Sequence, residues 1–246
     1  MDYAAYQARY GAVPANGNSN LWYSYNHGAM HITNIDSEEL QTPGSPQAQW
    51  LAADLAAVDR AVTPWLILMQ HRPVYSSTKS EAGDHTPGMG FPAKLEPYIK
   101  QYAVDLFLTG HEHQYEATMP VFNGTVTSRG DGKGVFTNPG APIYVVQGTS
   151  GAFVSGDWET PQPAWSRFRE GTTYGALQWG ALGCAAPAPP PWAHTAPAHA
   201  HLFAPHAHPF SAGYGKMRVL GGSQLTYQYI TIDGKVLDEF TINKSA

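Results

Sequence analysis

The sequence predicts an α/β fold, in which a mixed β-sheet is flanked by helices. Three short apolar segments, at residues 65–69, 104–108 and 143–146, are typical of strands buried on both faces of a parallel sheet. Helical patterns precede the first two of these segments, and the alternation of strand and helix implies βαβ crossovers. With 246 residues, 43% of them hydrophobic, the chain can bury a sizeable core.

The first elements are two strands and a helix. Residues 21–36 alternate in hydrophobicity on either side of His27-Gly28, which predicts two strands joined by a turn. Ser45 and Pro46 then suit the N-cap and first position of a helix. The apolar side chains that recur at helical spacing behind this cap are Leu51, Leu55, Val58 and Val62.

A second helix and a group of C-terminal strands complete the prediction. The second helix lies between the segments 65–69 and 104–108, and its apolar positions are Leu95, Tyr98, Ile99 and Tyr102. Residues 216–242 alternate as short strands, and Asp233-Gly234 supplies a hairpin turn between two of them. We expect these antiparallel strands to close the mixed sheet.

One segment differs from the rest in composition. Residues 176–213 contain no Asp, Glu, Lys or Arg and five histidines, and they are rich in Ala and Pro. Removing them would join the strand-like sequences that end at Tyr174-Gly175 and begin at Tyr214-Gly215. The segment is therefore predicted to be an insertion that is disordered outside the core. Weak, nonspecific copper or zinc binding by its His-x-His pairs is the alternative interpretation.

Composition and charge argue against several classes of protein. The formal net charge is −5, with 14 Lys and Arg against 19 Asp and Glu, so no basic excess exists to bind nucleic acid. No apolar stretch suits a membrane-spanning helix, and the first residues lack a secretory signal pattern. The single cysteine, Cys184, excludes an intrachain disulfide. Two sequons, at Asn123 and Asn243, would accept glycans in a secreted protein.

Histidines follow two of the predicted parallel strands directly. His71 comes after 65–69, and His111 and His113 come after 104–108. Because ligands gather at the carboxyl ends of parallel strands, the three side chains are expected to lie close together. In an extended segment His111 and His113 would also point the same way. Three imidazoles suit zinc, iron or manganese, whereas a lone histidine at a strand end is more often structural.

Several segments resemble the purple acid phosphatases, a family of calcineurin-like metallophosphoesterases. The resemblance covers about residues 20–175 and 214–242 and implies the layered metallophosphoesterase-type fold. The segments that carry it are LWYSYNHGAMHITNIDSE, SPQAQWLAADLAAVDR, WLILMQHRPVYSS, VDLFLTGHEHQYE and APIYVVQGTSG.

The resemblance implies an enzyme with two metal ions, an acid phosphatase that hydrolyses small-molecule phosphate monoesters. His71 and His111 would bind a divalent metal (Zn, Mn or Fe) and His113 a ferric ion. His85 is the only candidate for the loop histidine that contacts phosphate or protonates the leaving group, and an ordinary exposed loop histidine is the alternative. The resemblance further implies a secreted protein, with no nucleic-acid or membrane partner.

The chain also departs from the family pattern. Motifs of the GDxG, GDxxY and GNH type, which supply the remaining metal ligands, do not occur in residues 1–20, and Ala117 stands where the family often has Arg. We therefore expect residues 1–246 to be the C-terminal portion of the domain, with its N-terminal half missing and its site incompletely encoded. The alternatives are an inactive remnant that binds at most one metal weakly, and a phosphodiesterase or nucleotide phosphatase of the same superfamily.

Overall fold

The described residues form two large β-sheets stacked face to face, a separate two-stranded hairpin, and helices on the outer face of the larger sheet. A computed structural model describes residues 3–10, 16–18, 20–79, 82–85, 88, 90–150, 157–171 and 213–245. The helices are α1 (Ala4–Tyr10), α2 (Pro46–Ala56), α3 (Ala82–His85) and α4 (Gly90–Gln101). The strands are β1 (Asn16–Asn18), β2 (Trp22–His27), β3 (Met30–Asn34), β4 (Trp65–Met69), β5 (Leu106–Thr109), β6 (Tyr115–Thr118), β7 (Val121–Phe122), β8 (Thr125–Val126), β9 (Val135–Thr137), β10 (Ile143–Gln147), β11 (Ser166–Glu170), β12 (Gly213–Leu220), β13 (Gln224–Thr231) and β14 (Val236–Asn243).

The larger sheet is mixed, as the sequence predicts. Its eight strands lie in the order β1-β2-β3-β4-β5-β10-β6-β11. The central strands β3, β4, β5 and β10 are parallel to one another, and antiparallel strands flank them on both sides. The three segments that were predicted as buried strands become β4, β5 and β10, and Leu66, Ile67 and Leu106 have no exposed surface. The α/β class with a mixed sheet flanked by helices is confirmed.

The C-terminal strands form a second sheet instead of closing the first one. Its order is β12-β13-β14-β9, so β9 from the middle of the chain completes it. The alternating pattern of β13 buries Leu225, Tyr227 and Tyr229 on one face, and this face packs against one face of the larger sheet. An alternating hydrophobic pattern predicts that one face of a strand is apolar, but it does not predict which surface packs on that face. Here another sheet packs on it.

Helix α2 begins as predicted and ends earlier than predicted. The Ser45 side chain accepts a hydrogen bond from the Ala48 backbone N–H at 3.3 Å, with Pro46 at the first helical position. Leu51 and Leu55 are buried against the sheet. The helix ends at Ala56, so Val62, which is 65% exposed, is not part of its apolar face.

A buried carboxylate fixes α2 to the first strands of the sheet. Asp54 accepts hydrogen bonds from the Ser24 hydroxyl at 2.5 Å and from the Thr33 hydroxyl at 2.8 Å. The His31 Nε2 atom lies 3.2 Å from the same carboxylate. Because a buried carboxylate must find partners for its oxygens, these contacts orient the helix across β2 and β3.

The parallel strands end at one common edge. Asn34 pairs with Met69 and Met69 with Leu108, so the segments that follow β3, β4 and β5 leave the sheet side by side. This register is what the sequence interpretation requires for the histidine motifs to converge.

The predicted insertion lies outside the described residues, except for Gly213 at the start of β12. Its described flanks belong to different sheets, since β11 is an edge strand of the larger sheet and β12 an edge strand of the smaller one. The flanks therefore do not form one continuous strand of a single sheet. Among the residues described, no helix is long and apolar enough to cross a membrane.

Candidate functional site

Two backbone hydrogen bonds join the turns that follow β4 and β5. The Gln70 N–H donates to the Leu108 carbonyl at 3.2 Å, and the Gly110 N–H donates to the His71 carbonyl at 2.9 Å. These bonds continue the sheet ladder one step beyond the strands. They place His71 and His111 opposite each other at the carboxyl edge.

The two imidazoles are in direct contact. Nδ1 of His111 lies 3.1 Å from Nε2 of His71, and the rings meet edge to face with centroids 4.9 Å apart. Burial and the neighbouring His111 lower the pKa of His71. The neutral imidazole, which is the form that binds a metal, is therefore favoured at His71.

The His111 backbone has a conformation that L-amino acids rarely adopt. Its φ is 66°, and the Glu112 N–H donates to the Gly110 carbonyl at 2.8 Å, which closes a γ-turn around His111. The Gln114 N–H donates in the same way to the Glu112 carbonyl at 2.7 Å. The expectation of an extended His111–His113 segment is therefore wrong, because this segment is a tight turn and not a strand.

His113 is near this pair but does not complete a ligand group with it. Its charge contributes to the lowered pKa of His71, which places it within electrostatic range. No group of three or more His, Cys, Asp or Glu side chains that could hold a metal occurs in the described part of the chain. The structure thus brings together His71 and His111, and the role of His113 as a ligand stays a prediction.

A glycine from β10's end packs against the His-Glu-His turn. A Cβ added to Gly148 would lie 1.9 Å from the Glu112 carbonyl oxygen, and the Gly148 N–H donates to the Gln114 carbonyl at 2.9 Å. No other residue type fits here without displacing the turn.

His85 is buried beneath the turn and is not an exposed loop residue. It is the last residue of α3 and is only 1% exposed. Its Nδ1 lies 2.7 Å from the Pro73 carbonyl oxygen, and its Nε2 lies 4.0 Å from Glu112 Oε1. The exposed-loop interpretation is wrong, whereas the predicted catalytic role of His85 stays a prediction.

An ion pair beside His71 was not singled out by the sequence interpretation. The Arg72 Nε atom donates to Glu38 Oε1 at 2.8 Å. Burial acts to raise the pKa of Glu38, but the hydrogen bond and charge of Arg72 outweigh it and hold that pKa below its ordinary value. The sequence could have indicated this ion pair, because Glu38 follows β3 and Arg72 follows the neighbouring parallel strand β4.

The His71–His111 pair fits two ligands of one metal ion. Two nitrogens bound to a tetrahedral zinc ion at about 2.0–2.1 Å lie roughly 3.3 Å apart. The separation of 3.1 Å between His71 Nε2 and His111 Nδ1 is close to that value. The described residues thus supply two ligands of an ion, but no third His, Cys, Asp or Glu is gathered with them.

Comparisons with known proteins agree with this fold. Residues 1–115 match the calcineurin-like phosphoesterase family. Purple acid phosphatase 18 of Arabidopsis thaliana is 35% identical over 65% of this chain and 34% of that protein. "Probable inactive purple acid phosphatase 1" of Arabidopsis thaliana is 30% identical over 94% of this chain and 32% of that protein.

A solved structure shows the same architecture. The purple acid phosphatase isolated from yellow lupin (Lupinus luteus) seeds has a TM-score of 0.72 and 26% identity, over 95% of this chain and 34% of that one. The chain spans about a third of the length of these three relatives. The layered fold implied by the resemblance is confirmed. This chain is therefore a homologue of the purple acid phosphatases, and its residues 1–115 match a calcineurin-like phosphoesterase domain.

Proposed function

We propose that the protein is an acid phosphatase that uses metal ions to hydrolyse small-molecule phosphate monoesters. The observation that carries the proposal is the contact between His71 Nε2 and His111 Nδ1 at the edge where the parallel strands end. The homology to purple acid phosphatases supplies the reaction class. A secreted location, as implied by the resemblance, is part of this proposal.

His71 and His111 would hold a divalent ion (Zn, Mn or Fe), and His113 would contribute to a ferric ion. When bound, such a pair of ions neutralises charge on phosphoryl oxygens and lowers the pKa of water to about 7. The described residues fit only part of this centre, because they supply two converging imidazoles and no third ligand beside them.

The chain's own residues prepare the site for a metal and an anion. The lowered pKa of His71 favours the neutral imidazole, which is the form that binds a metal. Arg72 is half-buried next to His71, and its guanidinium is held in place by Glu38. As one member of an ion pair, Arg72 would bring hydrogen-bond donors, and little net positive charge, to a bound phosphate.

A second candidate function is that of a non-catalytic homologue, which binds one ion through His71 and His111 alone. Two observations favour it. No group of three metal-binding side chains occurs in the described parts of the chain, and one of the relatives is itself named as inactive. A site with two protein ligands would bind an ion weakly and would lack the second ion of a two-metal mechanism.

Metal analysis combined with a hydrolysis assay separates the two functions. The purified chain is dialysed against Zn, Mn or Fe, its metal content is measured by mass spectrometry, and p-nitrophenyl phosphate is offered as substrate. His71→Ala and His111→Ala are the test variants. His27→Ala is the matched control, because His27 is exposed at the end of β2 and away from the carboxyl edge.

Each outcome decides between the candidates. Hydrolysis that both test variants abolish and His27→Ala preserves supports the phosphatase. Metal binding that depends on His71 and His111 without any turnover supports the non-catalytic homologue. Metal content that is equal in the wild type and all three variants would refute both.

A further inference from the structure

The two glycosylation sequons occupy very different places in the fold. The first, Asn123-Gly124-Thr125, lies at the tip of the β7–β8 hairpin, and the second, Asn243-Lys244-Ser245, lies at the end of β14. A glycosylated asparagine must keep its side-chain amide accessible, so the folded protein discriminates between them.

The hairpin tip presents the first sequon to solvent. Asn123 and Gly124 form the two-residue turn, with φ values of 45° and 70°, as in the type I′ turns that Asn-Gly favours. Both Asn123 and Thr125, the two residues that a transferase recognises, are exposed.

The buried side chains of Tyr75 and Glu96 bind backbone N–H groups of this turn, whereas Asn123 and Thr125 themselves are exposed. The Asn123 N–H donates to Glu96 Oε1 at 2.8 Å, and the Gly124 N–H donates to the Tyr75 hydroxyl at 3.0 Å. The Tyr75 hydroxyl in turn donates to Glu96 at 2.5 Å. The tip is thus anchored from below through main-chain groups, and a group attached to Asn123 would not break these bonds.

The second sequon is integrated into the smaller sheet. The Asn243 side-chain oxygen accepts a hydrogen bond from Gln224 Nε2 at 3.1 Å, and its carbonyl accepts one from the Asn138 N–H at 2.9 Å. The Lys244 ammonium lies 2.7 Å from Asp105 Oδ1. The Ser245 hydroxyl accepts a hydrogen bond from the Asn138 side chain. A transferase that binds residues 243–245 would have to break these contacts to reach the backbone and the Ser245 hydroxyl.

We propose that Asn123 is an N-glycosylation site and that Asn243 is not. In the reaction, the Nδ2 amide nitrogen of Asn123 forms a bond to the anomeric carbon of a lipid-linked oligosaccharide diphosphate. The bond from that carbon to the diphosphate oxygen breaks, the lipid diphosphate leaves, and the amide nitrogen loses one proton. The natural protein meets this donor only if it enters the secretory pathway, and the secreted location in the proposed function is the part on which the inference rests.

The experiment directs the protein into the secretory pathway with an added signal sequence, so it does not depend on where the natural protein is located. The full chain is expressed behind a cleavable signal sequence in eukaryotic cells and recovered from the medium and the secretory compartments. Peptide N-glycosidase then releases glycans in heavy-oxygen water, which converts each occupied asparagine into a mass-labelled aspartate. Peptide mass spectrometry is expected to find the label at position 123 and none at position 243.

Substitutions test the assignment on intact protein. Asn123→Gln and Thr125→Ala are expected to abolish the mobility shift that the glycosidase produces. Thr125→Ser keeps the hydroxyl that the sequon requires and is expected to keep the shift, so it controls for misfolding of the turn. Asn243→Gln is expected to leave the shift unchanged.

An unmodified Asn123 in protein that has entered the secretory compartments, or a label at position 243, would overturn the inference. This result is distinguishable from failure of the proposed function. Glycan occupancy is read from peptide masses, whereas phosphatase activity is read from hydrolysis of p-nitrophenyl phosphate by the same protein.

Discussion

His111 combines a candidate ligand with a strained backbone. A positive φ in a residue with a Cβ costs on the order of 1–3 kcal/mol, and such residues concentrate at functional sites. The γ-turn hydrogen bond from Glu112 and the packing of Gly148 against the Glu112 carbonyl hold the strained conformation in place. The backbone conformation that places the His111 imidazole against His71 therefore lowers the stability of the fold.

Removing the Cβ of His111 should recover part of that stability. We expect His111→Gly to be more stable than His111→Ala by about 1 kcal/mol, because only glycine adopts this conformation without strain. Urea denaturation of both variants without metal measures the difference. Equal midpoints for the two variants would show that the turn is not strained.

Glu116 should make the stability depend on pH. Its side chain has no exposed surface and accepts hydrogen bonds from the Ser77 and Ser166 hydroxyls. Burial nevertheless raises the pKa of Glu116 above its ordinary value of 4.5. The native state therefore binds this proton more tightly than the unfolded state does, so its contribution is present below pH 4.5 and is lost as the pH rises through the native pKa.

The Glu116→Gln variant isolates this contribution. We expect the free energy of unfolding of the wild type, relative to this variant, to fall as the pH rises from about 4 to about 7. Urea titrations at several pH values measure it, and titrations shared by both proteins cancel in the comparison. A difference that rises with pH would contradict the raised pKa.

At the scale of elements, the stability of α2 depends on its N-cap residue, Ser45. The Ser45 hydroxyl oxygen accepts from the Ala48 N–H and also donates to the Leu40 carbonyl at 2.8 Å. Ser45→Ala removes both bonds and should cost about 1 kcal/mol of stability. Ser45→Thr keeps a hydroxyl at the cap and should cost less than Ala, as measured by thermal or urea unfolding. Equal losses for Ala and Thr would mean that the cap bond contributes little.

The same element shows what the sequence can predict. Ser45-Pro46 and the spacing of Leu51 and Leu55 are local signals, and they locate the start of α2 correctly, whereas Val62 lies beyond its end. The carboxyl edge was also predictable, because buried parallel strands require their following segments to meet. The turn at His111 could not be predicted, because no pattern of hydrophobicity indicates the sign of φ at a non-glycine residue. The second sheet was missed for a related reason, because the hydrophobic alternation along β13 does not indicate which surface packs against its apolar face.

The whole molecule is held together by contacts between the two sheets. The Tyr115 ring from the larger sheet stacks on Tyr229 of the smaller one, with centroids 4.1 Å apart and planes 5° from parallel. The Tyr115 hydroxyl donates to Asp238 at 2.8 Å, and Arg167 pairs with the same carboxylate. Glu170 is the register partner of Tyr115, and Gly213 packs against the Tyr229 ring, so the described ends on either side of the predicted insertion meet at this stack.

Deletion of residues 176–213 should therefore be tolerated. The cut places Gly175 directly before Tyr214, in the position of Gly213, where a Cβ would lie 2.4 Å from the Ile230 carbonyl oxygen. We expect the free energy of unfolding to stay unchanged or to rise, because each doubling of loop length costs only about 0.6 kcal/mol. The same deletion with Gly175→Ala should be less stable, and urea unfolding compares the two. A loss of several kcal/mol in the glycine version would show that the segment packs on the core.

The hydrogen bond from the Gly110 N–H to the His71 carbonyl also has a thermodynamic consequence for ion capture. Because this bond joins the two turns in the folded chain, the conformational entropy of bringing His71 and His111 together is lost during folding and not during binding. Occupancy should then require little rearrangement of the backbone. Ions that enter this edge would be selected by the fixed spacing of the two nitrogens, and not by a loop that adapts to each of them.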